Sequence, residues 1–401
     1  MSNPVTFQQS SAILNSIVQQ ATGRSQLIAT EADFISVAQT ALSMGMDKVF
    51  NALSQVFSRT LFSSRPYSAS MKGLEKTLDQ WGAAMRKINI VESDWKDNDA
   101  YKYPVLFDNS QNPPTGNGLS VDPWIINKRE FLETHFLGQS VFSDHYTVFE
   151  DQLETAFRSS AEFGAFMALI TTNMNNKLEV VYENVSRFLV SNFAAALIDE
   201  NDSSRVVKLL TLYNSETGQQ YTATDIRQPD KYPAFVKWAY AKIAAIASRF
   251  KEYSVKYQTT INGKYVPRHT PYDKQKMYML SDERYAMDSR VLADTFHDNY
   301  LKYADVETVN FWQSIDSPDA INIKPTYTST NGTVTTPTNA VSQTGVFALL
   351  FDDDAMGWAR IHQNVIPTGI NGRGEYRNMW YNMRIKCFSD NTEKGVVFLL
   401  A

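Results

Sequence analysis

No proline interrupts the chain between Pro123 and Pro229, and the middle of that span carries one apolar seam. The seam reads Phe163, Met167, Ile170, Met174, Leu178, Val181, Val185, Phe188, stepping by three or four throughout. That step is the helical repeat. It predicts a helix from about Asp151 to Ala196, a rod of roughly 65–70 Å at 1.5 Å per residue. Globular helices usually run about three turns, so a compact enzyme rarely needs such an element. A rod set among extended polar segments and strands points to a plate-like building block rather than a pocket.

The 401 residues can hold two or three ordinary domains. With 38 Lys and Arg against 43 Asp and Glu, the net charge of −5 argues against a chain built mainly to hold nucleic acid, since phosphates are neutralised by clustered basic residues. Aromatic residues make up 12%; they carry contact energy in cores and interfaces alike, so they favour association only weakly. Cys387 is the single cysteine, which excludes an internal disulfide and a cysteine-built zinc site and fits a reducing cytoplasm. The first basic residue is Arg24, and no apolar core precedes it, so no secretory signal is expected. No apolar run approaches the ~20 residues that span a bilayer. The chain is expected to act in the cytosol, or in something assembled there, without a membrane.

Residues 1–85 read as a polar arm with sparse anchors (Phe7, Ile13, Leu14, Ile17, Val18) and short helices, one capped by Thr30 with Asp33 in its first turn and another near 71–84. Residues 86–150 alternate in short stretches around a tip at 108–123 that holds three prolines and two glycines. They read as an extended two-stranded loop, barely stable alone and so expected to lie on something, which need not be its own chain. Residues 151–199 are the rod. Residues 200–340 mix helices and strands, with a helix over Asp230–Tyr257, an Asn262-Gly263 hairpin, a buried strand at Met277–Leu280, a helix over Asp288–Tyr303 and a hairpin around Asn331-Gly332. Residues 341–401 read as a terminal antiparallel sheet. In its longest strand, Met379, Tyr381, Met383, Ile385 and Cys387 alternate strictly with Trp380, Asn382, Arg384 and Lys386, so one face is buried and the other is wet or covered by a partner. The fold class is α+β. A bundle or coiled coil would also show the seam, but the β pattern after 345 and the lack of a second rod weigh against it.

This order of elements resembles the major capsid protein of tailed bacteriophages, the Hong Kong ninety-seven type of fold, in particular that of small, short-tailed phages. Three stretches carry the likeness. EDQLETAFRSSAEFGAFMALITTNMNNKLEVVYENVSRFLVSNFAAAL is similar to the spine helix of that family. RKINIVESDWKDNDAYKYP through HFLGQSVFSDHYTVFED is similar to its extended loop and return. ALLFDDDAMGWARIHQN followed by GRGEYRNMWYNMRIKCFSDNTEKGVVFLL is similar to its closing peripheral sheet.

The resemblance implies a structural subunit, not an enzyme and without cofactors. Such a subunit forms the hexamers and pentamers of an icosahedral shell around genomic DNA, and the DNA touches it weakly and without sequence preference. It implies that the loop reaches over a neighbour's spine helix, that the arm threads around adjacent subunits, and that the mixed axial domain gathers at capsomer centres. It also implies a portal and, since the first 80 residues are too few for a fused one, a separate scaffolding protein. The chain ends soon after its last strand, so the surface domain some relatives append is not expected. Of the loop lysines Lys96, Lys102 and Lys128, nothing singles out one for a crosslink. A nanocompartment shell is the rival on the same fold.

Catalytic readings are thin. Asp352, Asp353 and Asp354 with His362 suggest a metal-dependent hydrolase on Asp353 and His362, but three adjacent carboxylates cannot converge from one strand, and a solvated turn explains them. His135, His145, His269 and His297 lack ligand spacing, and Gly369, Gly372 and Gly374 do not form a dinucleotide fingerprint. The candidates are therefore interface residues. Trp95, Tyr101, Tyr103, Trp124 and Phe131 sit on a ribbon with no core to bury them, which marks them as inter-subunit anchors, with packing on the parent domain as the alternative. Glu92, Asp94, Asp97 and Asp99 form an acidic run suited to the basic stretch 242–276, which includes Lys251, Lys256 and Lys264. Such pairs steer assembly more than they stabilise it; a nucleic-acid patch is the other reading of those lysines.

Overall fold

The computed structural model describes residues 7–22, 28, 30–43, 48–49, 51–52, 71–76, 85–91, 124, 126, 128–136, 140–291 and 305–401. Two helices open the chain, α1 (Phe7–Thr22) and α2 (Glu31–Ser43). Thr30 caps α2 as its sequence predicts: Thr30 Oγ1 accepts from the Asp33 amide at 3.2 Å, and Asp33 Oδ2 accepts from the Thr30 amide at 2.9 Å. Ile13, Leu14, Ile17 and Val18 of α1 share one core cluster with Phe34, Val37 and Ala41 of α2 and with Phe163, Met167 and Ile170. The described part of the arm is thus docked on its own subunit rather than reaching outward. Its anchors recur at helical spacing and have a matching face to cover. Of the helix expected near 71–84, the described residues show a single 3-10 turn, Lys72–Leu74.

A ribbon follows, β1 (Met85–Val91) paired antiparallel with β2 (Glu130–Phe136). The ten residues of β3 (Ser140–Phe149) belong to another sheet. Of the two-stranded excursion expected over 86–150, the described pairing therefore runs to Phe136, and β3 is framework.

A short helix, α3 (Glu150–Ala156), precedes the rod, α4 (Ser160–Glu200). The rod starts nine residues later than the seam predicts because Ser159 is extended (φ −151°, ψ 157°) and caps it, accepting from the Glu162 amide at 3.1 Å. Asn201 closes it in the left-handed region (φ 52°). Over its 41 residues it spans about 60 Å. The seam is buried only at its start. Phe163, Met167 and Ile170 are enclosed, Met174, Leu178, Val181 and Val185 are half-buried, and Phe188 is 58% exposed. From Tyr182 on, the buried side moves to Leu189, Val190, Phe193 and Leu197. At 100° per residue these lie roughly a third of a turn round from the seam. The rod bridges two cores and shows each a different face.

The remaining elements are β4 (Val206–Lys208), α5 (Leu209–Thr217), α6 (Ala223–Ile226), α7 (Tyr232–Phe250), β5 (Gln275–Leu280), α8 (Ser281–Val291) and β6 (Asp305–Val309). They are followed by β7 (Ile321–Ile323), β8 (Tyr327–Thr328), β9 (Val334–Thr335), β10 (Val341–Gln343), β11 (Val346–Asp352), β12 (Met356–Pro367), β13 (Tyr376–Ser389) and β14 (Gly395–Leu399). The two expected hairpins form, with Asn262 and Gly263 at φ 50° and 75° and Gly332 at φ 78°. α7 stops short of Tyr257 because the Phe250 carbonyl turns to the Thr270 amide at 2.9 Å and to Lys394 Nζ at 3.0 Å. α8 begins earlier than expected, and residues 292–304 of that expected helix lie outside the described residues.

Residues 341–401 do not form one sheet. β11 and β14 are the middle of a five-stranded sheet, ordered β4-β14-β11-β5-β6, in which every residue of both strands is buried. α7 and its neighbours cover one face of that sheet, and the end of α4 covers the other. β12 and β13 pair with β3 in a second, three-stranded sheet whose inner face meets α4. Continuous apolar runs such as VFALL and VVFLL are what a doubly covered strand requires; the sequence pattern does not say which sheet they enter. Lys386, placed by alternation on the open face, is buried, as is Asp352 of the supposed solvated turn.

Candidate assembly interface

The ribbon has two unlike faces because side chains alternate along each strand. Lys87, Asn89, Thr134 and Phe136 turn inward; Arg86, Ile88, Ile90, Phe131, Glu133 and His135 turn outward. Ile90 sits directly across from Phe131. Ile88, Ile90 and Phe131 are 47%, 49% and 59% exposed. Adjoining stretches add Trp124 and Ile126, also strongly exposed. A ribbon alone cannot bury these groups, and contiguous exposed apolar groups mark interaction surfaces.

Its inner face is anchored in a buried polar junction formed by residues 390–394. All five are no more than 5% exposed. Lys87 Nζ lies 3.1 Å from Asp390 and also pairs with Glu393. Arg268 reaches Glu393 Oε2 at 2.8 Å, the Thr392 carbonyl at 2.7 Å and Asn89 Oδ1 at 2.9 Å. Arg205, wholly buried, donates to Glu200 at 2.7 Å and to the carbonyls of Asn391 and Glu393. Asn391 donates to Glu200 Oε1 and to the Thr328 carbonyl, each at 2.7 Å. Lys394 Nζ caps the end of α7 through the carbonyls of Phe250 and Glu252. One short loop thus ties together the ribbon, the end of the rod, α7 and the β8–β9 hairpin.

The charges there are tuned by opposing forces. Burial acts to lower the Lys87 ammonium, but Asp390 and Glu393 outweigh it and hold the group above its ordinary value. Burial acts to raise the Asp390 carboxyl, and Lys87, Thr392 and Arg268 pull it below the usual range. For Glu393 burial prevails over Lys87 and Arg268, and its carboxyl is pushed up. The sequence shows this loop as SDNTEKG, a polar turn. Its function depends on partners up to hundreds of residues away, so no local signal could have found it.

A second candidate surface is the outer face of the three-stranded sheet. Register places Ile366, Trp380 and His145 in one row across β12, β13 and β3, with Tyr376 beside Phe149. The Trp380 and His145 rings stand 5.1 Å apart. Val141, Phe149 and Ile366 are exposed there.

Glu92, Asp94, Trp95, Asp97, Asp99, Tyr101 and Tyr103 lie outside the described residues, as do Lys96 and Lys102. Lys264 pairs with Glu130 of its own ribbon, Lys251 lies 5.0 Å from the Tyr272 ring, and Lys256 lies 5.4 Å from that of Tyr257. The hydrolase reading also dissolves. Asp353 is held by Lys76 and by Lys276 at 2.7 Å, His362 faces Arg384 across a strand pair, and no cluster among the described residues has the make-up of a metal site. Among the described residues, no helix is long and apolar enough to cross a membrane.

A long helix that spans two cores, a two-stranded ribbon and two sheets in one chain match the element order of the tailed-phage capsid subunit that the sequence resembles. The profile of the Phi29-like phage major capsid protein family matches residues 128–399, and this chain belongs to that family. It is a structural capsid protein, placed in the virion shell, not an enzyme. The match favours neither the nanocompartment shell nor the hydrolase. Among solved structures, the chain is similar to one from the capsid of Staphylococcus phage Andhra, at 11% identity and TM-score 0.53, with 86% of this chain and 87% of that one covered. A structure of bacteriophage P68, described as that of its head fiber and inner core protein gp22, matches at 11% identity and TM-score 0.52 over the same shares. At such identity these likenesses speak for the fold alone. No curated protein matches the chain by sequence.

Proposed function

We propose that this chain forms the hexamers and pentamers of an icosahedral shell that closes around phage DNA, each copy gripping the next through its ribbon. The two-sidedness of the ribbon carries this reading: Lys87 and Asn89 on one face tie it to its own subunit, while Ile88, Ile90 and Phe131 on the other face are 47%, 49% and 59% exposed. A neighbour's outer sheet face, with Trp380, Ile366 and Phe149, offers an apolar surface of the same kind. Closure multiplies modest contacts and leaves no free edge. Assembly takes place in the host cytoplasm on a separate scaffolding protein and around a portal. The five regions bounded at 85, 150, 199 and 340 serve as arm, loop, spine, axial domain and peripheral sheet, with the loop's return strand and the strands at 346–352 and 395–399 reassigned as described above. The interface candidates in residues 92–103, with Trp124 and Phe131, line the loop side of this contact.

The test is Ile90→Asp with Phe131→Asp, co-expressed with the scaffold and viewed by electron microscopy. The variant should yield folded subunits, with helical content unchanged by circular dichroism, and no closed shells. Normal shells from the variant would overturn the ribbon's part in assembly.

A further inference from the structure

We infer that residues 251–274 carry a surface that binds a nucleic-acid strand, with lysines on the phosphates and tyrosine rings against bases or sugars. This rests on the shell reading, which gives the surface a nucleic acid to meet. The backbone there forms a short antiparallel ladder. The Ser254 amide donates to the Arg268 carbonyl and the Arg268 amide to the Ser254 carbonyl, each at 3.1 Å, and the Thr270 amide donates to the Phe250 carbonyl at 2.9 Å. Across this ladder the Tyr253 and His269 rings lie 6.2 Å apart, and Lys251 Nζ stands 5.0 Å from the centre of the Tyr272 ring. Tyr253, Val255, Tyr265 and Tyr272 are all exposed.

The stretch holds five basic residues, Lys251, Lys256, Lys264, Arg268 and Lys274, against the acids Glu252 and Asp273, an excess that stands out in a chain of net charge −5. Arg268 and Lys264 are taken up by Glu393 and Glu130. Lys251, Lys256 and Lys274 are exposed, and none makes an ion pair among the described residues. Cations left without carboxylates, interleaved with exposed rings, are what single strands and phosphate backbones select. An interface between proteins would favour arginine and deplete lysine, so the pattern speaks for nucleic acid over an acidic segment of another copy.

Fluorescence anisotropy of labelled single-stranded and duplex oligonucleotides with the full chain tests this, across about 50 to 200 mM salt. Binding should weaken with salt at a log–log slope of roughly −2 to −3, as for three phosphates. Lys251→Gln with Lys256→Gln and Lys274→Gln should lower affinity at least about tenfold and flatten that slope. Tyr253→Ala should weaken the single strand about fivefold further while Tyr253→Phe keeps it, since the ring and not the hydroxyl stacks; a duplex should be less sensitive to either. No binding at the lowest salt, or variants that bind like the parent, would overturn the inference. So would a polyglutamate peptide that binds better than either oligonucleotide, or triple-lysine variants that no longer form shells, since both would make the surface a contact between proteins. Shell formation by the triple variant is expected to be normal, so failure here would leave the shell reading standing.

Discussion

Lys87 shows how one side chain joins the ribbon to the body of the subunit. Its ammonium is the only part of the ribbon among the described residues to enter the carboxylate pair of Asp390 and Glu393. A buried pair gives little net stability when intact, because desolvation offsets attraction, but removing one member leaves charge stranded. Lys87→Met should therefore destabilise the subunit by about 3 kcal/mol, less than the full loss because Arg268 still faces Glu393. Lys87→Met combined with Glu393→Gln should recover part of that loss, since less charge is then stranded. Urea denaturation of the three proteins measures it, and a single variant as stable as the parent would show that the junction does not hold the ribbon.

At the scale of elements, the rod depends on its ends as well as its faces. Ser159→Ala removes the acceptor for the Glu162 amide and should cost about 1 kcal/mol, read as a lower thermal midpoint. A midpoint equal to the parent's would mean that α3 and α4 run on as one helix in solution, as the seam alone suggests. This is where the sequence was least legible. The apolar repeat marked the rod, capping chemistry the Thr30 cap, the Asn-Gly pairs the turns and apolar runs the buried strands, because each rests on residues near one another in the chain. The break at 157–159 left the repeat intact and so left no trace. The return strand 140–149 looked like more ribbon because alternation reads the same in a ribbon and in a sheet. Of the candidate site, the exposure of Phe131 and Trp124 was legible, because a two-stranded ribbon has no core of its own to bury them. The 390–394 junction was not, because what satisfies its charges comes from four separate parts of the chain. Phe188, counted in the seam, lies exposed where the rod changes faces.

Over the whole molecule, the buried charges set how stability follows pH. Burial pushes the carboxyls of Glu200, Glu283 and Glu393 above their ordinary values, with Arg205, Tyr232 and Arg227, and Lys87 only partly countering it. A raised carboxyl binds its proton more readily in the folded state, so its contribution grows as pH falls from neutrality towards the unfolded value near 4. Asp390 and Asp353 behave oppositely. Burial would raise them, but Lys87 with Thr392 and Arg268 holds Asp390 down, and Lys276 with Lys76 holds Asp353 down. Their contribution is present above the ordinary aspartate value of about 4 and is lost as pH falls below it. The two groups leave a maximum between them. Unfolding free energy should rise from pH 7 to about 5 and then drop steeply below about 4, and Glu393→Gln should flatten the rising limb while sparing the falling one. Denaturant titrations of the unassembled subunit at neutral, mildly acid and strongly acid pH read this directly. A curve that falls steadily from neutrality would mean that the buried glutamates are ionised at no cost, and that water reaches the junction between ribbon and body.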